Sequence, residues 1–101
     1  MLWPLEFRIL LVLLDGPAHG YRIVKAIEER EKHLPSIYAG NLYRRIRDLL
    51  GKGLLEEVPP PEGLEVDPRR KYFSPSSVGR AVVKAEGRRL EALVGEARAL
   101  G

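Results

Sequence analysis

The chain has 101 residues, 45% of them hydrophobic, a size that suits one domain with a modest core and leaves no room for a deep catalytic cleft. Seventeen Lys and Arg against fourteen Asp and Glu leave a net charge of +3, compatible with a nucleic-acid partner without requiring one. There is no cysteine, which excludes disulfides and thiolate metal sites. His19 and His33 stand far apart with no clustered carboxylates, so neither a metal nor another cofactor is expected.

The first fourteen residues are apolar except for Glu6 and Arg8. The run from Ile9 to Leu14 is too short to span a membrane, and no small-residue cleavage site follows it. The expectation is a soluble cytoplasmic protein without a membrane partner. Gln and Thr are absent, and Asn41 and Met1 are the only residues of their kinds. Heat-adapted proteins show this scarcity, and biased genomic base content produces it equally.

Pro4 to Leu14 reads as a first helix, with proline in its opening turn. Phe7, Ile9, Leu10, Leu11, Leu13 and Leu14 are too much apolar surface for one face. This helix should therefore lie between two layers or two subunits, with Trp3 packing just ahead of it. Asp15-Gly16-Pro17 stops it. A second helix runs from about Gly20 to Glu31 with His19 at its N-cap. It buries Ile23, Val24 and Ile27 and turns Arg22, Lys25 and Glu29 outward. His33-Leu34-Pro35 breaks the chain again.

Ser36 to Gly53 forms the third helix. With Leu42 at zero on a wheel of about 100° per residue, Leu42, Ile46, Leu49 and Leu50 share one side. Arg44 falls nearly opposite. Gly40, Asn41, Arg47 and Asp48 spread around it, and Tyr43 and Arg45 occupy the flanks. A helix fits the DNA major groove, and Arg and Asn match guanine and adenine edges. Two helices across a short break, the second basic on its outer side, outline a helix-turn-helix.

Leu54 to Val58 reads as a strand, and Arg69-Arg70-Lys71-Tyr72-Phe73 as its return. The connection is long and holds Pro59, Pro60 and Pro61. From Leu54 to Pro68 there are five acids and no cation, so the loop tip is repelled by phosphate. Only the basic return strand is expected near a duplex. Ser76 or Ser77 caps a last helix reaching about Leu100. Val83, Leu90 and Ala97 recur every seven residues with Glu86, Leu93 and Leu100 in the companion positions, a heptad marred only at Glu86. Arg80, Lys84, Arg88 and Glu91 form its solvated side. Such a stripe calls for a second copy of the chain, the alternative being a helix that folds back as a plain core helix.

The motifs Gly16-Pro17-Ala18-His19-Gly20-Tyr21, Asn41-Leu42-Tyr43-Arg44-Arg45-Ile46, Gly53-Leu54-Leu55-Glu56, Asp67-Pro68-Arg69-Arg70-Lys71-Tyr72-Phe73 and Gly79-Arg80 together resemble the PadR family of bacterial transcriptional regulators. The resemblance covers about residues 8 to 90 and points to the small subgroup with a single C-terminal helix. It implies a mainly α fold with a small β-hairpin. Residues 1–75 would be a winged helix-turn-helix DNA-binding domain, its first helix also at the dimer interface, and residues 76–101 a dimerisation helix. It further implies a homodimer on an inverted repeat of double-stranded DNA, mostly as a repressor, in some members answering to small phenolic or drug-like effectors. By motif, Leu42 enters the core, Tyr43 points to DNA, and residues 69–72 become the returning wing strand. Two departures stand out. Ser76-Ser77 replaces the usual Thr-Pro before the last helix, and the acidic, triple-proline wing is unusual.

The leading expectation is thus a sequence-specific DNA-binding regulator of a bacterium or archaeon. Asn41, Tyr43 and Arg44 would meet base edges, with Ser36 and Tyr38 at the start of the helix. Arg45, Arg47, Arg69, Arg70 and Lys71 would grip phosphates. Leu10, Val83, Leu90, Leu93, Ala97 and Leu100 would join the dimer, and Trp3, Phe7, Leu90 and Leu93 would line a pocket for an aromatic or cationic effector. The rival expectation is a winged helix used for protein assembly without productive DNA contact. An enzyme is disfavoured: there is no paired carboxylate site, no nucleophile with a histidine partner and no phosphate-cradling glycine loop.

Overall fold

The structure is a computed structural model, and it describes residues 2–31, 39–63 and 67–101. Four helices and three short strands follow in the order α1 (Pro4–Leu13), β1 (Ala18–His19), α2 (Gly20–Arg30), α3 (Ala39–Gly51), β2 (Leu55–Val58), β3 (Tyr72–Pro75) and α4 (Ser77–Leu100). The strands form one antiparallel sheet in the order β1-β3-β2. Glu57 pairs with Phe73, and His19 pairs with Tyr72. This is the expected winged helix-turn-helix with a long C-terminal helix, enlarged by the two-residue strand β1. No apolar alternation announces a strand of two residues.

The core lies where α1, α2 and α3 converge and the sheet closes one end. Ile9, Leu10, Leu13, Ile23, Ile27, Leu42 and Leu49 are fully enclosed, joined by Ile46, Leu55, Phe73 and Val83. Cutting any enclosed leucine or isoleucine back to alanine costs about 2–5 kcal/mol. The α3 stripe is narrower than expected. Leu50 is 36% exposed because it sits about 80° round the wheel from Leu42, at the edge of the buried face. Val24 is likewise only half-buried.

α3 ends in a Schellman motif. Leu54 N–H donates to the Leu49 carbonyl at 2.9 Å and Gly53 N–H to Leu50 at 3.1 Å, which requires Gly53 to adopt a φ of +74°. The turn it makes is the seat of α4. Ser76 N–H donates to the Leu54 carbonyl at 3.0 Å, and the Ser76 hydroxyl donates to the Gly53 carbonyl at 2.6 Å. The same hydroxyl accepts from Gly79 N–H at 3.0 Å as the N-cap of α4. Gly79 packs so closely here that a Cβ would stand 2.0 Å from the Leu54 carbonyl oxygen.

Two acids inside the apolar pattern act as joints. Glu6 is fully enclosed; one carboxylate oxygen accepts from Trp3 N–H at 2.9 Å and the other from Lys52 Nζ at 2.9 Å. It therefore both caps α1 and ties it to the end of α3. Glu86, the flaw in the heptad, accepts from Leu2 N–H at 3.3 Å and pairs with Arg89, joining α4 to the start of α1. Arg89 and this backbone contact hold its carboxyl below the usual glutamate range. From Arg88 onward every residue of α4 is exposed, so its outer half projects beyond the protomer.

The return strand differs from expectation. β3 begins at Tyr72, and Arg69 to Lys71 precede it. The Asp67 side chain accepts from Arg69 N–H at 2.9 Å and its carbonyl accepts from Arg70 N–H at 2.9 Å, folding the three cations into a turn. Among the described residues no helix is long and apolar enough to cross a membrane, and no three His, Asp or Glu gather to hold a metal.

Two glycines of α4 should respond oppositely to alanine. Gly79→Ala must displace backbone and should destabilise by about 3 kcal/mol, while Gly95→Ala meets open space and should stabilise by about 0.5–1 kcal/mol; urea denaturation reads both. Glu86 makes a pH-dependent contribution. Its lowered folded pKa means the stabilisation is fully present above the usual glutamate value and is lost as pH falls through the folded one. Glu86→Gln should therefore lower stability at neutral pH and flatten the acid limb, the two curves converging at low pH.

Candidate nucleic-acid interface

Burial of Leu42, Ile46 and Leu49 leaves one orientation for α3, with Asn41, Tyr43, Arg44 and Arg47 all exposed. Arg44 lies opposite the buried stripe, as the wheel requires. Arg45 is placed differently from its neighbours. It is half-buried, with its guanidinium 5.0 Å from the centre of the Trp3 ring and 3.6 Å from Asp48. Its charge is engaged with α1 and with its own helix, which leaves Arg44 and Arg47 as the outward cations of α3. Ser36 and Tyr38 lie outside the described residues.

Tyr43 owes its position to a glycine. A Cβ on Gly20 would stand 2.4 Å from Cε1 of the Tyr43 ring, so the ring rests directly on the first turn of α2. This contact links the Gly-Tyr motif at residues 20–21 to the Leu-Tyr motif at 42–43. Beside it opens a hollow of about 250 Å³ lined by His19, Gly20, Tyr21, Tyr43, Arg69, Arg70, Lys71 and Phe73. The turn before β3 thus brings its three cations against the N-terminus of α2, next to the outer face of α3. All three are exposed.

His19 is the residue of this hollow that sequence reasoning noticed only as a cap. Its Nδ1 accepts from Arg22 N–H at 3.2 Å, and its Nε2 lies 3.1 Å from a terminal guanidinium nitrogen of Arg70. Partial burial, Arg70 and Arg22 together lower its pKa below the usual histidine value, which favours the uncharged ring. Its neighbourhood to Arg70, fifty-one positions away, comes from the pairing of β1 with β3 and had no signal in the local pattern.

The acids divide from the cations. Glu56 and Glu57 on β2 and Glu62 beyond it are exposed, whereas Asp67 holds Arg69 through two contacts of 3.2 and 3.3 Å. The base of the wing is basic, and the β2 side is acidic.

The residues expected at a dimer seam separate into two groups. Leu10 and Val83 are enclosed in the protomer's own core and have no surface to offer a second copy. Leu90, Leu93, Ala97 and Leu100 are exposed along the projecting half of α4. Of the expected effector pocket, Phe7 and Leu90 line a common groove of about 250 Å³ with Leu2, Pro4, Arg8, Glu86 and Arg89. Trp3 and Leu93 are not among its walls, and Trp3 is stacked on Arg45 instead.

Residues 9–85 match the model of the Transcriptional regulator PadR-like family. Among solved structures, a transcriptional regulator from Clostridium thermocellum superposes with a TM-score of 0.77 at 23% identity, over 94% of this chain and 87% of that one. A PadR family regulator from Clostridium difficile gives 0.80 at 20% identity, over 96% and 98%. Bacillus subtilis PadR, solved in complex with operator DNA, gives 0.65 at 20% identity over 80% of this chain and 45% of that one. No curated protein matches the chain. The match over residues 9–85, on a winged helix-turn-helix whose motifs fall where that fold needs them, shows that the chain belongs to the PadR-like family of transcriptional regulators.

Proposed function

We propose that the chain is a cytoplasmic regulator that binds double-stranded DNA sequence-specifically as a homodimer, represses transcription from a pseudo-palindromic operator, and is released by a small effector. The observation that carries this reading is the outward face of α3. Three apolar side chains hold the helix rigidly, and Arg44 stands at the centre of its opposite side with Asn41, Tyr43 and Arg47 around it. Arg44 is suited to the paired acceptors of a guanine edge and Asn41 to adenine. Arg47 and the cations at 69–71 are suited to phosphates. The operator complex of Bacillus subtilis PadR supports the reading by analogy of fold.

For the homodimer, the support is the projecting half of α4, where Leu90, Leu93, Val94 and Leu100 are exposed on a helix that needs a partner to bury them. A two-fold pair would set its α3 helices about 34 Å apart and so read two half-sites one turn of DNA apart. The groove holding Phe7 and Leu90 lies between α1 and α4, where closing or opening a dimer would alter its walls. Its apolar lining with Arg8, Glu86 and Arg89 at the edge suits a small aromatic or charged molecule.

One observation favours the assembly-module reading: the exposed acids Glu56, Glu57 and Glu62 on the β2 side of the wing repel phosphate. Anisotropy with mixed genomic duplex at two salt concentrations separates the two. DNA binding gives an affinity that falls steeply with salt; no binding at micromolar protein would favour assembly.

Arg44→Ala should weaken binding to the selected operator by about 1–3 kcal/mol while leaving random duplex almost unaffected. An equal loss on both would remove its base-reading role. Leu93→Asp should yield a monomer in sedimentation with helical content retained, because it places a charge on the seam and not in the core.

A further inference from the structure

His19 is asked to accept two hydrogen bonds, and a neutral imidazole can accept only one. Nδ1 accepts from the backbone N–H of Arg22 at 3.2 Å, which caps α2. The single ring proton must then sit on Nε2. Nε2 faces a terminal nitrogen of Arg70 at 3.1 Å, and a guanidinium carries donors only. With that tautomer two N–H groups point at the same place. Protonating the ring does not help, because Nδ1–H would then oppose Arg22 N–H and the cap would be lost.

The imidazole is held where it stands. The imidazole meets the buried Tyr72 ring edge-on at 5.4 Å, lies stacked near Tyr21 at 6.4 Å, and belongs to the β1–β3 pairing. Arg70 has Asp67 on its far side, 3.9 Å from Nε, and Asp67 is itself held more closely by Arg69. The two donors open onto the hollow of about 250 Å³ whose other walls include Tyr21, Tyr43, Arg69 and Lys71. An oxygen carrying negative charge, lodged against both donors, satisfies them together. The positive surroundings select an anion, and the adjoining face of α3 sets it beside the major groove.

We propose that the Nε2–H of His19 and the guanidinium of Arg70 jointly hold one non-bridging oxygen of a DNA phosphodiester, His19 acting as an uncharged donor. The clamp rests on the DNA-binding reading above. It assigns His19 a role that its position as a helix cap conceals, and it makes the wing base read backbone position through α2 as well as through charge. An uncharged donor releases no counterion, so its loss differs in kind from the loss of Arg70.

The test uses the operator duplex recovered from genomic DNA, unmodified and with single phosphates replaced in turn by neutral methylphosphonate. His19→Asn and His19→Ser both keep an oxygen able to cap α2 and remove the Nε2–H; thermal melting confirms the fold of each. Both variants should bind about tenfold more weakly on every sequence, with an unchanged salt slope. Arg70→Ala should also weaken binding on every sequence and reduce the slope by about one. One methylphosphonate per half-site should cost the wild type more than tenfold, cost His19→Asn only the smaller Arg70 share, and cost a variant lacking both donors nothing further. His19 variants that bind within twofold of wild type, or that stay as sensitive as wild type to every methylphosphonate, would overturn the clamp and leave DNA binding standing. A wild type with no salt-dependent binding to any duplex would overturn both.

Discussion

Withdrawal of Leu42, Ile46 and Leu49 from water is the constraint from which the rest of the molecule follows. A helix of thirteen residues has little stability of its own in water, so α3 exists because that stripe is packed against α1 and α2. The same packing removes its rotational freedom. Whatever stands opposite the stripe is presented at a fixed angle, and what stands there is Arg44. The glycine at position 20 extends this control to the flank, since it lets the Tyr43 ring approach α2 closely.

Charge performs a second kind of positioning. Glu6 is enclosed only because both of its oxygens are used, one by the start of α1 and one by Lys52 at the end of α3. Glu86 does the same for α4 and the segment before α1. The last turn of α3 thus touches α1 through Lys52 and seats α4 through the Gly53–Leu54 turn. The groove beside Phe7 and Leu90 is walled in part by Leu2 and Glu86 of the second joint. Trp3, stacked on Arg45, sits at the Glu6 joint.

How much was legible in the sequence depended on the range of the interaction. The centres of the α2 and α3 stripes, the caps at His19 and Ser76 and the glycine stop at Gly53 are local, and the structure places them where the pattern does, with Val24 and Leu50 left at the edges. What failed needed partners distant in the chain. The two residues of β1 become a strand only because β3 arrives beside them, and the cations at 69–71 leave the strand because Asp67 folds them into a turn. Arg45 reads as an outward cation until Trp3 is packed on it. Leu10 and Val83 carry the same apolar signal as Leu90 and Leu93, and periodicity does not distinguish a buried position from an exposed one. Glu86 looked like a flaw in a heptad because its partner, the Leu2 amide, is eighty-four residues away. That Asn41, Tyr43 and Arg44 face outward is legible because a wheel needs only neighbours; the hollow around His19 is not.

The claim that α3 reads the major groove while the wing does not is open to one direct measurement. Methylation interference with dimethyl sulfate marks guanine N7 in the major groove and adenine N3 in the minor groove of the same duplex. Reading by α3 predicts interference at a guanine N7 in each half-site, about one helical turn apart, which becomes harmless in Arg44→Ala. Interference at adenine N3 alone, or guanine signals that persist unchanged in Arg44→Ala, would contradict it.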